Sequence, residues 1–488
     1  MLNSFTNIGG LLGEDDTCRR LRSIIIDRKP ATFLAKLPRS TILAAAAILQ
    51  HLNENQQRAI LKCLAANEYA LIKGMPGTGK TETIITLIEV LFKLGCSIIV
   101  TSHTNSAVDN ILIKLLDRNI DFIRLGSSFT INALLEHKSE EYLTSKCKSL
   151  EELESVYANR NIVGVTCYGA HHALFGKKTF DVCIVDESTQ VMQPAVLGPL
   201  YNAHKFILVG DPNQLPPIFT SKTARNLGAT ESLFERLDSK NNTVNLSLQY
   251  RMNKSIMNLA NNLTYNGELK AGSKSIENAT FISQDKSILL SNETWIQVAL
   301  STNLDDSVIV LDTGCTQDMT IDFDHKKENI TTETVYSNIW EATLILRLLK
   351  TLFQMGISSE QIGIMAAYKA QVILLKSLIN TKIEINTVDQ YQGRDKSIIL
   401  YSCARSMKKK YIKAQDPGIL EDQRRLTVAI TRAKHKLILI ADKDTIAQYA
   451  PFKNLFSIVP EKNIINLHDG SMNFTWEPII ELLKENIC

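Results

Sequence analysis

The chain has 488 residues, 44% of them hydrophobic and 22% charged, which is a globular composition with too much material for one ordinary core and enough for two or three domains. Lys plus Arg number 54 against 51 Asp plus Glu, a net charge of +3; a dedicated DNA-coating protein would be far more basic, so any nucleic-acid track must be local. The nine cysteines include no C-x-x-C pair, which excludes a zinc or iron–sulfur spacing and fits a reduced compartment; no apolar run approaches the ~20 residues a membrane span needs, and the Met1 end lacks signal-peptide regions, so an intracellular protein is expected.

In chain order, residues 1–50 form a mixed lead-in: Leu21–Ile26 reads as a strand and the Ala- and Leu-rich Thr41–Leu52 as a helix. Glu14, Asp15 and Asp16 read as a solvated terminus beside a turn-like stretch. An alternating series follows. Short apolar runs at Ala70–Ile72, Ser97–Thr101, Ile162–Thr166, Val182–Val185 and Phe206–Val209 are interleaved with amphipathic stretches such as Thr81–Leu94 and Asn105–Leu116. That is the pattern of βαβ units around a parallel sheet. From about Lys270 to Asp306 the chain turns polar and reads as a crossing between domains. A second series then runs through strands Val308–Leu311, Ile362–Ala366, Ser397–Tyr401 and Leu437–Ile440, with helices Trp340–Gln354 and Ala370–Leu378. The expectation is α/β throughout: a lead-in over 1–50, one sheet domain over 51–268, a crossing over 269–306, a second sheet domain over 307–450 and a tail over 451–488.

Gly74-Met75-Pro76-Gly77-Thr78-Gly79-Lys80-Thr81 follows a strand and opens a helix, the setting of a phosphate-binding loop. Its glycines let backbone N–H groups converge on phosphate oxygens, and the helix start adds its positive end. Lys80 would reach the β- and γ-phosphates of ATP, and the Thr81 hydroxyl would ligate Mg²⁺. Asp186-Glu187 ends the apolar run Val182–Val185, so a buried strand delivers one acid to hold the metal and a second to polarise a water. Gly210–Pro217 ends another such run, and its Gln214 can donate and accept hydrogen bonds, which suits sensing a γ-phosphate. His171-His172 has no acid or cysteine beside it in sequence and is not expected to bind metal. Lys408–Lys410 with Lys413 reads as a solvated loop, and Glu268-Leu269-Lys270 lacks the acids a nuclease site needs.

These segments stand in the order found in superfamily 1 helicases, and the chain resembles that family from about residue 20 to 445. The resemblance implies tandem RecA-like domains with parallel sheets. Leu52–Gln56 resembles the family's Q motif, in which Gln56 would read adenine. Thr101–Asp109 resembles motif Ia, which touches the nucleic-acid backbone; Ser102, Thr104 and Asn105 there, with Thr166 and Thr387 elsewhere, are the implied strand contacts. Gln249-Tyr250-Arg251 matches motif IV, with Tyr250 stacked on adenine and Arg251 on the γ-phosphate. Thr387–Asp395 matches motif V, carrying Gly393 and Asp395 to the nucleotide. Val428–Lys434 matches motif VI, with Arg432 as the arginine finger, a device worth ~10³–10⁵ in rate. Details of these motifs resemble the branch that includes the nonsense-mediated-decay helicase and, more closely, the helicase half of the eukaryotic replication helicase-nucleases that process Okazaki-fragment flaps and resected ends.

By that resemblance the chain is an ATP-dependent, Mg²⁺-requiring helicase or translocase on single-stranded DNA, moving 5′ to 3′ in the nucleus. No nuclease domain and no cysteine cluster are legible, so cleavage is not expected, and a separate nuclease or a single-strand-binding protein is an expected partner. An RNA helicase remains open, because contacts that track the backbone tolerate either sugar. An ATPase subunit acting with a nuclease in trans also remains open. A nucleotide switch without motor activity is disfavoured by the full set Glu187, Gln214, Arg251 and Arg432.

Overall fold

A computed structural model describes residues 2–219, 221–283, 285, 287–290, 293–314, 337–406, 418–467 and 474. The lysines at 408–410 and 413 lie outside these described residues. The chain divides into two compact units, Met1–Leu248 and Gln249–Cys488.

The first unit is built on β1 (Tyr69–Gly74), β2 (Ile98–Ser102), β3 (Ile123–Arg124), β4 (Ile162–Thr166), β5 (Phe180–Val185), β6 (Ala203–Gly210) and β7 (Thr243–Leu246). They lie in the order β3-β4-β2-β5-β6-β1-β7 with parallel pairing throughout. Both faces of this sheet are covered, which is why its strands read as unbroken apolar runs. Ala70 and Ile72 of β1 join one core cluster, while Tyr69 and Leu71 join the other. The first face packs α3 (Arg39–Leu49), α4 (Glu54–Ala65), α5 (Lys80–Lys93) and α6 (Asn105–Asp117).

The second face corrects the reading of the N-terminus. Leu2–Gly10 is a helix packed on the helix Gln193–Leu200, with Asn7 Nδ2 donating to the Pro194 carbonyl at 2.8 Å and Tyr201 Oη to that of Asn7 at 2.7 Å. Leu21–Ile26, expected as a strand, belongs mostly to the helix Asp16–Ile25. Glu14, Asp15 and Asp16 are all exposed, as expected, and Asp15 in addition is the N-cap of this helix, accepting from the Cys18 N–H at 2.9 Å. Cys18, Leu21, Ile24 and Ile25 are all buried. That helical spacing, with a cap, outweighs the β-branched preference of three consecutive isoleucines.

β8 (Leu248–Gln249) spans the boundary and is paired with β9 (Lys270–Ala271) of the second unit. Its main sheet comprises β10 (Val308–Asp312), β11 (Ile362–Ala366), β12 (Glu384–Thr387), β13 (Lys396–Ser402), β14 (Ala433–Ala441) and β15 (Ile464–Asn466), in the order β12-β11-β13-β14-β10-β15, again all parallel. Two parallel α/β units agree with the RecA-like reading.

The boundary between units falls earlier than the expected residue 268. Asn253 explains it: its N–H donates to the Lys434 carbonyl at 2.9 Å, and its amide reaches Ser307 Oγ at 2.9 Å and the His435 carbonyl at 3.0 Å. The Gln249-Tyr250-Arg251 segment is thereby tied to β14 and lies in the second unit. Nor is the 269–306 stretch merely a crossing. Trp295, Ile296, Ala299 and Leu300 are fully buried against the helix Ile339–Gln354, and Glu293 pairs with Arg347 at 3.1 Å. In the short helix Thr294–Ala299, the polar Thr294 and Gln297 interrupt the apolar face in the sequence.

Candidate active site

The register of the first sheet brings three loops together. Lys73 pairs with Gly210 across β1 and β6, and Val185 pairs with Leu208 across β5 and β6. The loops after β1, β5 and β6 therefore leave the same edge from adjacent strands, where parallel sheets place ligands.

The loop Gly74–Thr81 is shaped by backbone geometry. Gly77 and Gly79 have φ of 74° and 79°, a region in which a Cβ is strained. Gly79 is the N-cap of α5, and a Cβ there would sit 2.5 Å from Gln56 Nε2. At Gly74 a Cβ would lie 2.1 Å from Lys80 Cγ, so only glycine lets the lysine fold back along the loop. Met75, Pro76 and Thr78 complete the turn, with Thr78 Oγ1 donating to the Met75 carbonyl at 2.7 Å. Thr81 is half-buried in the first turn of α5.

Gln56, expected at adenine, is buried beneath this loop. Its Nε2 donates to the Thr78 carbonyl at 3.1 Å, and its Oε1 accepts from the Asn53 N–H at 3.2 Å. Asn53 in return accepts from the Gln56 N–H at 3.0 Å, closing a capping box on α4. One end of the carboxamide thus braces the phosphate loop while the other caps α4. Asn53 went unnoticed as a partner, although Asn-x-x-Gln before an apolar run is a legible capping signal.

Lys80 Nζ lies 3.8 Å from Glu187 Oε1. Asp186 is buried, and burial, reinforced by the charge of Glu187 and opposed by Lys80, pushes its carboxyl up to about 7. Glu187 has φ 48° and ψ 39°, a left-handed conformation that costs a glutamate about 1–3 kcal/mol and recurs at functional sites. Its other oxygen accepts from Gln190 Nε2 at 3.2 Å, while Ser188 Oγ donates to the Val209 carbonyl at 2.9 Å. Gln214 is buried with Nε2 donating to Asp211 Oδ2 at 2.8 Å, and Asp211 also accepts from the Asn213 N–H at 3.0 Å.

The expected strand contacts separate. Ser102 and Thr166 are register partners at the ends of β2 and β4, but Ser102 is fully buried, and only Thr166 is partly open. Thr104 is exposed and caps α6, accepting from the Ala107 N–H at 3.3 Å. Asn105 is drawn inward: its Oδ1 accepts from Arg124 Nη2 at 2.8 Å. Arg124 is fully buried and pairs with Asp109 at 2.7 Å, an ion pair that sequence reading missed because its partners come from different elements. Beside these residues, His103 and the 42% exposed Tyr168 meet edge to face at 5.9 Å. His172 does meet an acid in the fold, Glu140 at 3.0 Å, yet no group of three metal-ligating side chains forms among the described residues.

In the second unit Arg251, Asp395, Thr431 and Arg432 converge. Arg251 Nε donates to Asp395 Oδ2 at 2.9 Å and Nη1 to the Thr431 carbonyl at 3.0 Å. Asp395 also pairs with Lys434 at 2.7 Å. Burial would raise the Asp395 carboxyl, but Arg251 and Lys434 outweigh it and hold the group below its ordinary range. This acid, expected at the nucleotide, thus orients Arg251. Arg432 is 2% exposed, with Nε donating to the Val428 carbonyl and Nη2 to Thr431 Oγ1, both at 3.0 Å. Tyr250 is 44% exposed and rests on Gly272, where a Cβ would come within 2.2 Å of the ring. Gly393 has φ 79° in the turn after Tyr391, and Thr387 ends β12 opposite Ala366.

Comparison with known proteins follows these divisions. A family model described as an AAA domain matches residues 229–444, and a second with the same description matches 51–154 and 132–222. The chain is 40% identical over 492 residues to the Bos taurus DNA replication ATP-dependent helicase/nuclease DNA2, covering 95% of this chain and 44% of that protein. The Homo sapiens protein of the same description is 40% identical over 481 residues, with 94% and 44% covered. The Saccharomyces cerevisiae protein is 35% identical over 458 residues, with 91% and 29% covered. The chain spans less than half the length of these relatives.

Proposed function

We propose, for a chain that belongs to the AAA-domain helicases of superfamily 1, that it hydrolyses ATP to move along single-stranded DNA in replication and repair. Nucleotide use comes with the two helicase ATPase domains. The observation that carries the reading further is the convergence of Gly74–Thr81, Asp186-Glu187 and Gln214 at one edge of three adjacent strands.

The loop amides and Lys80 hold the β- and γ-phosphates. The Thr81 hydroxyl and the Asp186 carboxylate are hard oxygen donors suited to Mg²⁺, and a cation there relieves the burial that disfavours Asp186 ionisation. Bound Mg²⁺ would supply charge neutralisation on the phosphates. Glu187, held by its strained backbone and by Gln190, takes the proton of the attacking water. Gln214 reports on the γ-phosphate through its link to Asp211. Arg251, aimed by Asp395, and Arg432 answer the charge that develops on phosphoryl transfer. Tyr250 offers an exposed ring to adenine, and Gln56 braces the loop through the Thr78 carbonyl. Thr104, Thr166 and Thr387 hydrogen-bond the strand's phosphates. A nuclease and a single-strand-binding protein are the proposed partners, in the nucleus, in keeping with the relatives' double activity.

The test is ATPase stimulation by single-stranded DNA and by RNA of equal length, with Lys80→Ala as control. DNA stimulation in the wild type, with turnover lost but strand binding kept in Lys80→Ala, supports the reading. Stimulation by RNA alone moves the substrate to RNA. Hydrolysis near the wild-type rate in the control refutes the loop assignment.

A further inference from the structure

On the first unit, beside the edge strand β7, lies an open cavity of about 450 Å³ that plays no part in the site above. Arg58 and Lys62 reach it from α4, Lys73 from the end of β1, and Lys240 from the turn before β7. Arg58 and Lys62 stand four residues apart on one helix face, a like-charge spacing that costs stability. Lys62 rests over the Phe33 ring at 4.8 Å, and burial together with the charge of Arg58 lowers its pKa. Among the described residues none of the four cations forms an ion pair. The acid in the lining, Asp238, instead accepts from Thr243 Oγ1 at 2.6 Å. Among the described residues of the lining, four cations thus face one acid, which is paired with none of them.

We infer that this cavity is a second phosphate-binding site, separate from the ATP site, that takes clustered phosphate groups from a nucleic-acid strand or from a free polyphosphate. The rest of its lining fits that chemistry. Ser239 and Asn245 add a hydroxyl and an amide donor, and no aromatic side chain is present in the lining. Without an aromatic anchor the cavity lacks what an acidic protein segment or a stacked base would need, whereas cations with neutral donors are the usual phosphate partners. The cavity also touches the ATP site through the chain itself. Lys73 precedes Gly74, and Asn55, bonded to Ser247 Oγ at 2.9 Å, precedes the loop-bracing Gln56. Phosphate held here sits one residue from two supports of the loop.

The experiment uses the full chain with the ATP site saturated by a non-hydrolysable ATP analogue, so that the loop cannot bind the probe. Inorganic tripolyphosphate is titrated calorimetrically, and single-stranded DNA affinity is measured against salt concentration. Arg58→Gln/Lys240→Gln removes two exposed charges, Arg58→Lys/Lys240→Arg keeps them, and thermal melting verifies that both variants fold. A strand source predicts that the neutral variant lowers the slope of log affinity against log salt by about 1.4, about 0.7 per lost single-strand phosphate contact, while the charge-keeping variant restores it. A polyphosphate source predicts tripolyphosphate binding in the wild type, weakened about 10-fold or more in the neutral variant at an unchanged DNA slope. No tripolyphosphate binding beyond the ATP site, with equal DNA slopes in all three proteins, overturns the inference. The reading of the ATP site stands or falls separately, on Lys80→Ala.

Discussion

Gly79→Ala probes how the phosphate loop is held, because two costs at this position can be separated. The first is the backbone: Gly79 has φ 79°, and a left-handed alanine costs about 1–2 kcal/mol. The second is the brace: the new Cβ would lie 2.5 Å from Gln56 Nε2, so the side chain must move and give up its hydrogen bond to the Thr78 carbonyl, worth about 1 kcal/mol. The single variant should lose about 2–3 kcal/mol. Gln56→Ala removes the Thr78 bond and the bond from the Asn53 N–H, a loss of about 2 kcal/mol. If the two residues act as described, the double variant pays for the brace only once, and its loss falls short of the sum by about 1 kcal/mol. Thermal unfolding resolves this, since 1 kcal/mol shifts Tm by about 2–4 °C in a unit of this size. ATP affinity should follow the same pattern, with Gln56→Ala weakening it through a looser loop. Additivity within about 0.3–0.5 kcal/mol, the margin expected of independent sites, would refute the coupling and return Gln56 to the base.

Arg432→Ala should slow hydrolysis by orders of magnitude with ATP affinity nearly kept; Arg432→Lys, which keeps the charge without the guanidinium fork, should fold and remain slow, and a normal rate in either would remove the finger assignment. Glu341 is fully buried, and burial pushes it up to about 8 from an ordinary 4.5 against the pull of Ser402 Oγ at 2.6 Å and the Ala404 N–H at 2.9 Å. The folded state keeps this proton where the unfolded chain has released it, so the stabilisation is complete below about pH 4.5 and is lost as pH rises to about 8, on the order of 5 kcal/mol in all. Denaturation of Glu341→Gln across that window should show a flatter dependence than wild type, and equal slopes would refute the shift. Thr166→Ala should depress DNA-stimulated ATPase more than basal ATPase. Thr104 also caps α6, so Thr104→Ser should keep the fold while Thr104→Ala adds about 1 kcal/mol of helix loss; equal loss of basal and stimulated rates would mark a folding defect instead.

The chain's own order of residues determined the strands at Ile162–Thr166 and Ile362–Ala366 to the residue, and the β1–loop–α5 unit with its lysine. These are local signals: a fully buried parallel strand needs a continuous apolar run, and a phosphate loop needs glycine where φ is positive. The two-unit α/β plan was legible for the same reason. Tertiary structure decided what depended on a partner distant in sequence. Leu21–Ile25 became helical because spaced burial against the sheet's second face outweighs local β preference. Trp295 joined the second core because its contacts lie on a helix beginning at Ile339. Gln56, Asn105 and Asp395 matched motifs by position, yet Gln56 Nε2, Asn105 Oδ1 and Asp395 Oδ2 are engaged by Thr78, Arg124 and Arg251 respectively. A motif specifies which atoms can donate or accept; only the fold decides which of them meet, because a hydrogen bond requires its partner within about 3 Å and correctly aimed.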